Sequence, residues 1–242
     1  MPDQYDLEKH ESSRSRRALR SMRSRVQPGS FPLLLVAITS LYALNGLSVA
    51  SATGTTLLLV GHIGVACAGL YLLSANRVTL RIGIVVVGLM IVFQARLLAL
   101  DPQINRVLQD SVATGFLLWV LAVVLREVFR RTTTERDAVI GALCGFVIIL
   151  TVFMRLHNLL EALIPGSYHA DGPPLSERSD TTLVAIFQYF STITLTTVGF
   201  GDIVPITPAA RLVTGLEAIV GQVYLAVVIA TLVGRVAARP KD

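Results

Sequence analysis

Charge is what this chain has least of. Asp, Glu, Lys and Arg together make 15% of its 242 residues, against about 25% in a soluble domain. So little charge cannot coat an ordinary wet surface, which excludes both a typical soluble fold and a disordered chain. Cysteine is also sparse. Cys67 and Cys144 both lie inside apolar runs, without metal-ligand spacing or a secreted framework, and read as small buried hydrophobes. The only tryptophan, Trp119, falls inside an apolar run and says little. A P-loop, a nucleophile elbow, a metal-ligand cluster and a dinucleotide fingerprint are all missing. No residue is left on which enzymatic activity or a bound cofactor would rest.

Apolar sequence is what remains. The composition is 53% hydrophobic and mean hydropathy is +0.65. Residues 1–30 form a polar, Ser/Arg-rich arm. Apolar runs then follow at 31–50, 53–75, 79–100, 112–129, 138–163 and 209–234, each near or above the ~20 residues a helix needs to span a bilayer. Turn formers separate them at Ser51-Ala52-Thr53-Gly54, Asn76-Arg77 and Asp101-Pro102. Ala50-Ser51-Ala52 imitates a signal-peptide cleavage site, but about 30 polar residues precede the run, so the run reads as a retained helix.

The placement of charge orients these spans. Six spans put both termini on one side. Taking that side as the cytoplasm, 16 of the 21 basic residues fall in cytoplasmic segments, as the positive-inside rule requires. The acids Asp101, Asp110, Glu161, Asp171, Glu177 and Asp180 fall in the outward segments. The net charge of +5 therefore reads as membrane orientation and not as nucleic-acid binding. The arginines of the N-terminal arm would meet anionic lipid head groups. The expectation is a multi-pass protein of the plasma membrane with both termini cytoplasmic.

Residues 164–208 do not fit a simple loop. Residues 165–181 are polar with Pro165-Gly166 and Gly172-Pro173-Pro174, and predict an outer turret. Residues 182–195, TLVAIFQYFSTITL, predict a helix. It reaches only about 21 Å, short of the ~30 Å hydrocarbon core. It should enter the membrane and turn back, and non-helical backbone at that depth must be buried or line a water-filled path.

The return segment is Thr196-Thr197-Val198-Gly199-Phe200-Gly201-Asp202. A dehydrated potassium ion needs a column of oxygens without full charges that would trap it. Backbone carbonyls supply one if they all point the same way, which demands glycine-favouring conformations at every second residue. Gly199 and Gly201 alternate with Val198 and Phe200 accordingly.

Residues 197–202 resemble the potassium channel signature, Thr-Val-Gly-Tyr/Phe-Gly-Asp, and the wider pore module, about 136–236, is similar to that family. The resemblance implies an all-α membrane protein. Four N-terminal transmembrane helices (31–131) would precede a pore module (132–242) of outer helix, re-entrant pore helix with filter loop (196–202), and inner helix. The carbonyls of Thr197, Val198, Gly199 and Phe200, with the Thr197 hydroxyl, would be the potassium sites. Gly201 completes the strand. One chain supplies one filter strand of four, so a homotetramer in a lipid bilayer follows. The pore helix would aim its partially negative C-terminus at a central cation.

Further positions follow from the same resemblance. Asp202 would sit behind the filter mouth. The family often braces it with tryptophan, and the matching residue here is Tyr189. Where some members carry a second acid, this chain has Ile193. Thr196 supports the filter base. Gly221 falls where the family has a hinge glycine, with helix packing as the open alternative. Glu217, a costly intramembrane carboxylate, would bond Thr192, Thr194 or Thr196 and brace the filter, or act as a proton-sensitive switch. Leu225, Ile229 and Val233 would line the inner pore, or else face lipid or protein.

A voltage sensor needs arginines at every third position of its fourth helix. The fourth run has none until Arg126, with Arg130 and Arg131 as further anchors, and Arg96 in the third run is isolated. The first four helices read as a scaffold. His62 reads as a hydrogen-bonded packing residue, and His157 and His169 as candidates for an outward pH response. The chain ends eight residues after Gly234, which leaves no room for a C-terminal ligand-sensing domain.

The expected function is passive, selective potassium conduction. The alternatives are a weakly selective cation channel, the ion path of a potassium transport complex, and a non-conducting receptor.

Overall fold

A computed structural model describes residues 30–47, 52–73, 77–94, 101–129 and 135–237. The N-terminal arm, Arg96, Arg130 and Arg131 lie outside the described residues. The chain forms α1 (Ser30–Leu47), α2 (Ala52–Leu73), α3 (Arg77–Gln94), α4 (Pro102–Val128) and α5 (Glu135–Leu163). After α5 come strand β1 (Tyr168–Ala170), a 3-10 turn (Leu175–Glu177), α6 (Asp180–Leu195), strand β2 (Ile203–Pro205) and α7 (Pro208–Ala237).

Three stretches among the described residues are long and apolar enough to cross a membrane: Gln103–Val128, Arg136–Leu163 and Pro208–Thr231. The apolar stretches Ser30–Gly46, Val60–Leu72 and Leu80–Phe93 are shorter. The protein is a predominantly helical membrane protein.

Two expectations need correction. The fourth helix begins not at 112 but at Pro102, because Asp101-Pro102 is a helix start and not a turn. Asp101 accepts from the amides of Gln103 (2.9 Å) and Ile104 (3.3 Å), and Pro102 occupies a first-turn position where a missing N–H costs nothing. The chain is also not purely helical. β1 and β2 pair antiparallel, Tyr168 opposite Pro205 and Ala170 opposite Ile203, so the backbone after residue 202 is tied to the segment after α5.

The largest core joins α1 to α5. Leu34 and Ile38 of α1, Leu72 of α2, Val120 and Val124 of α4, and Cys144 and Ile148 of α5 are almost fully buried in one cluster. A second cluster surrounds α6. Leu183 and Phe187 pack on Met154 of α5, Tyr168 of β1, Leu175, Ile203 of β2 and Ala210 of α7. α5 thus belongs to both cores and holds the N-terminal helices against α6.

Candidate functional site

The short helix α6 is closed at both ends by its own sequence. Ser179 caps its start by accepting from the Thr182 amide at 3.3 Å. At its far end the Ile193 carbonyl accepts from the amides of both Val198 (2.8 Å) and Gly199 (3.1 Å). Helix ends leave orphan carbonyls, and here the loop's amides satisfy one. The loop's own carbonyls stay free: among the described residues, those of Thr197, Val198, Gly199 and Phe200 accept no hydrogen bond.

The backbone alternates. Thr197, Gly199 and Gly201 have φ of 60°, 55° and 81°, while Val198 and Phe200 between them do not enter the left-handed region. Thr197 is the only non-glycine residue described with positive φ. The sequence marked Gly199 and Gly201 as alternating positions and gave no sign that Thr197 joins them. The loop presents its side chains outward from the chain, Val198 53% and Phe200 70% exposed.

Around the loop, the Tyr189 and Phe200 rings lie parallel, 4° apart in plane, with centroids 6.5 Å apart. Tyr189 and Asp202 line one cleft beside the loop. The structure therefore brings together the pair that the resemblance implied. Thr196 donates to the Thr192 carbonyl at 2.6 Å and closes the last helical turn.

Glu217 is fully buried on α7 but does not bond Thr192, Thr194 or Thr196. Its Oε2 meets His157 Nε2 at 2.8 Å. The threonines are engaged locally: Thr192 donates to the Gln188 carbonyl at 2.7 Å and its oxygen meets the Tyr42 hydroxyl at 2.6 Å. His157 was not foreseen as the partner because 60 residues separate the two positions.

Gly221 is a close-packing position. A Cβ there would press on the Leu195 carbonyl and side chain at the end of α6. The next residue, Gln222, then reaches Thr197 Oγ1 with its amide at 3.3 Å. Sequence reasoning passed over Gln222, though a polar residue beside the candidate hinge was the available signal. Leu225 and Ile229 are 40% and 59% exposed. The side chain of Val233 lies outside the described residues.

A second polar cluster sits between α2, α4 and α5. Asp110 is not an outward loop acid, because α4 starts early enough to carry it into the fold. Arg155 contacts it at 2.8 Å with both side chains nearly inaccessible, and Asn158 donates to its other oxygen at 2.6 Å. Arg155 Nη2 also lies 3.0 Å from His62 Nε2. A guanidinium only donates, so His62 accepts there. Arg106 reaches the Asn158 side chain at 2.8 Å and Asp180 at 3.4 Å, tying α4 to the start of α6.

Residues 144–238 match the family model described as ion channel. Over 86 residues the chain is 37% identical to a potassium voltage-gated channel protein of Caenorhabditis elegans, a stretch that covers 35% of this chain and 15% of that relative. Both similarities are to ion channels, and they point to a non-enzymatic channel protein. The chain matches only a small part of its relative's length, and no solved structure matches it.

Proposed function

We propose that this chain is one subunit of a homotetrameric, potassium-selective channel of the plasma membrane. One observation carries the reading. Left-handed backbone recurs at Thr197, Gly199 and Gly201, with unpaired carbonyls from Thr197 to Phe200, on a loop held between a short helix and a spanning one. That alternation is what aligned carbonyls require. The ion sites are the carbonyls of Thr197, Val198, Gly199 and Phe200, with Tyr189 and Asp202 bracing the mouth and Thr196 and Glu217 behind it.

A single loop encloses nothing, so four copies complete the path. α7 supports this with an unpartnered apolar side: Leu212, Leu216, Ile219, Val223 and Val227 are all 45–64% exposed. Leu225 and Ile229 line the inner pore. Four N-terminal spans (31–131) flank a pore module (132–242), and both termini are cytoplasmic. Potassium as the ion is supported by the Thr-Val-Gly-Phe-Gly-Asp motif and by the name of the relative. Voltage gating is not carried over, since the match covers only 15% of that relative.

The test is planar-bilayer recording of the purified protein under bi-ionic potassium and sodium. The expected reversal potential corresponds to a strong potassium preference. A permeability ratio near one means a weakly selective cation channel, and an obligatory cytosolic partner means a transport-complex subunit.

A further inference from the structure

His157 is where the supports of the loop meet. Its ring is fully buried on α5. Nδ1 lies 2.6 Å from the Tyr168 hydroxyl of β1, and Nε2 lies 2.8 Å from Glu217 Oε2 of α7. Phe187 and Phe190 of α6 flank the ring, with centroids at 6.3 Å and 5.0 Å, and Phe153 lies one turn away on α5. β1 is bonded to β2, which follows the loop directly; α6 precedes it; α7 packs beneath it. One imidazole thus touches every element that fixes the loop's ends.

The hydrogen-bond inventory leaves room for one more proton. With Glu217 ionised, His157 Nε2–H donates to it and Nδ1 accepts from Tyr168. Glu217 Oε1 and the buried Ser191 hydroxyl lie close to each other in this cluster without meeting at bonding geometry. Adding a proton gives an imidazolium–carboxylate pair among aromatic faces that favour a cation. Nδ1–H then donates to Tyr168, whose own O–H must turn away, toward the neighbouring Thr214 of α7. The other titratable group near Tyr168 is Glu161, which accepts from the Gly166 and Tyr168 amides at 2.8 and 3.2 Å. Arg155, also on α5, is engaged with Asp110 and His62. A cleft of about 460 Å³ lined by Glu161, Tyr168 and His169 reaches the outer end of the cluster.

We propose that His157 is a positioning residue of the filter, and that its pair with Glu217 takes up a proton from the outer solution and so resets conduction. This rests on the channel reading above. Protonation reverses the Tyr168 bond and changes how β1 and α7 hold the two ends of the loop.

The experiment records potassium current from the full chain in planar bilayers while pH on the outer side is stepped from 8 to 5. Wild-type current should change at least about threefold across that pH step. His157→Gln should conduct at pH 8 and lose that dependence, whereas His169→Gln should keep it. A purely structural role would instead scale the current equally at every pH. If His157→Gln does not assemble, Tyr168→Phe keeps the imidazole but removes its outer partner, and should shift the midpoint. An unchanged profile in His157→Gln or Tyr168→Phe, or its loss in His169→Gln, overturns the proposal. A wild type that conducts with a flat profile overturns this inference alone, whereas no flux at any pH overturns the channel reading as well.

Discussion

Gly201 at φ 81° and Gly199 at φ 55° occupy backbone that costs an L-residue about 1–2 kcal/mol. In an assembly of four the strain recurs four times around one path. Gly199→Ala and Gly201→Ala should each lower potassium current at least about tenfold in bilayers, while Gly88→Ala, whose new methyl meets nothing within 4 Å, leaves it unchanged. Gly221→Ala separates packing from hinging: its methyl collides with Leu195, so it should weaken conduction together with the Gln222–Thr197 contact. A normal current in Gly221→Ala would remove the packing role. The left-handed backbone at Gly199 and Gly201 was legible in sequence because aligned carbonyls need glycine at alternate positions. Thr197 was not, since a residue forced into left-handed backbone by its neighbours carries no compositional mark. Glu217 was legible as a costly buried acid. Its partner was not, because only the fold brings position 157 to position 217.

Between helices, the buried Arg155–Asp110 pair joins α5 to α4. Breaking such a pair leaves an uncompensated charge and costs about 3–5 kcal/mol, whereas replacing both partners by apolar residues is often neutral. Arg155→Met should therefore sharply lower the temperature at which the detergent-solubilised protein aggregates, and Asp110→Leu with Arg155→Met should recover most of the loss. Equal damage in the single and double variants would show that the pair contributes no specific coupling. The same residues explain where sequence reading of the fold ran short. The apolar stretches of α4, α5 and α7 announce themselves by hydropathy. The first turns of α4 do not, because Gln103, Asn105, Arg106 and Asp110 look like loop. Each is engaged by another part of the fold: Gln103 donates to the Ala162 carbonyl at 2.9 Å and Asn105 to the Phe93 carbonyl at 3.1 Å. Polar residues turned toward protein and polar residues turned toward water have the same hydropathy.

For the whole molecule, the decisive question is whether the N-terminal helices move with voltage or hold the pore still. α4 has Arg106 near its start and Arg126 in its last turn, and between them only Asp110, already neutralised by Arg155. Arg106 is itself tied to Asp180 and Asn158. α1 reaches the pore helix directly, through Tyr42 to Thr192 at 2.6 Å and Gln188 to the Tyr42 carbonyl at 2.9 Å. A sensor helix must carry charge that is free to cross the field, worth about 2.3 kcal/mol per charge per 100 mV, with about 3–4 such charges in each of four subunits for steep gating. α4 has at most its terminal arginine to offer. Open probability in symmetric potassium, stepped from −100 to +100 mV, should therefore follow a slope equivalent to roughly four elementary charges or fewer per channel, unaltered by Arg126→Gln. Tyr42→Phe, which removes the strut and no charge, should instead reduce current at every voltage. A slope of about ten charges or more would mean that α4 moves through the field despite its bonds to α5 and α6, and that the scaffold is a sensor.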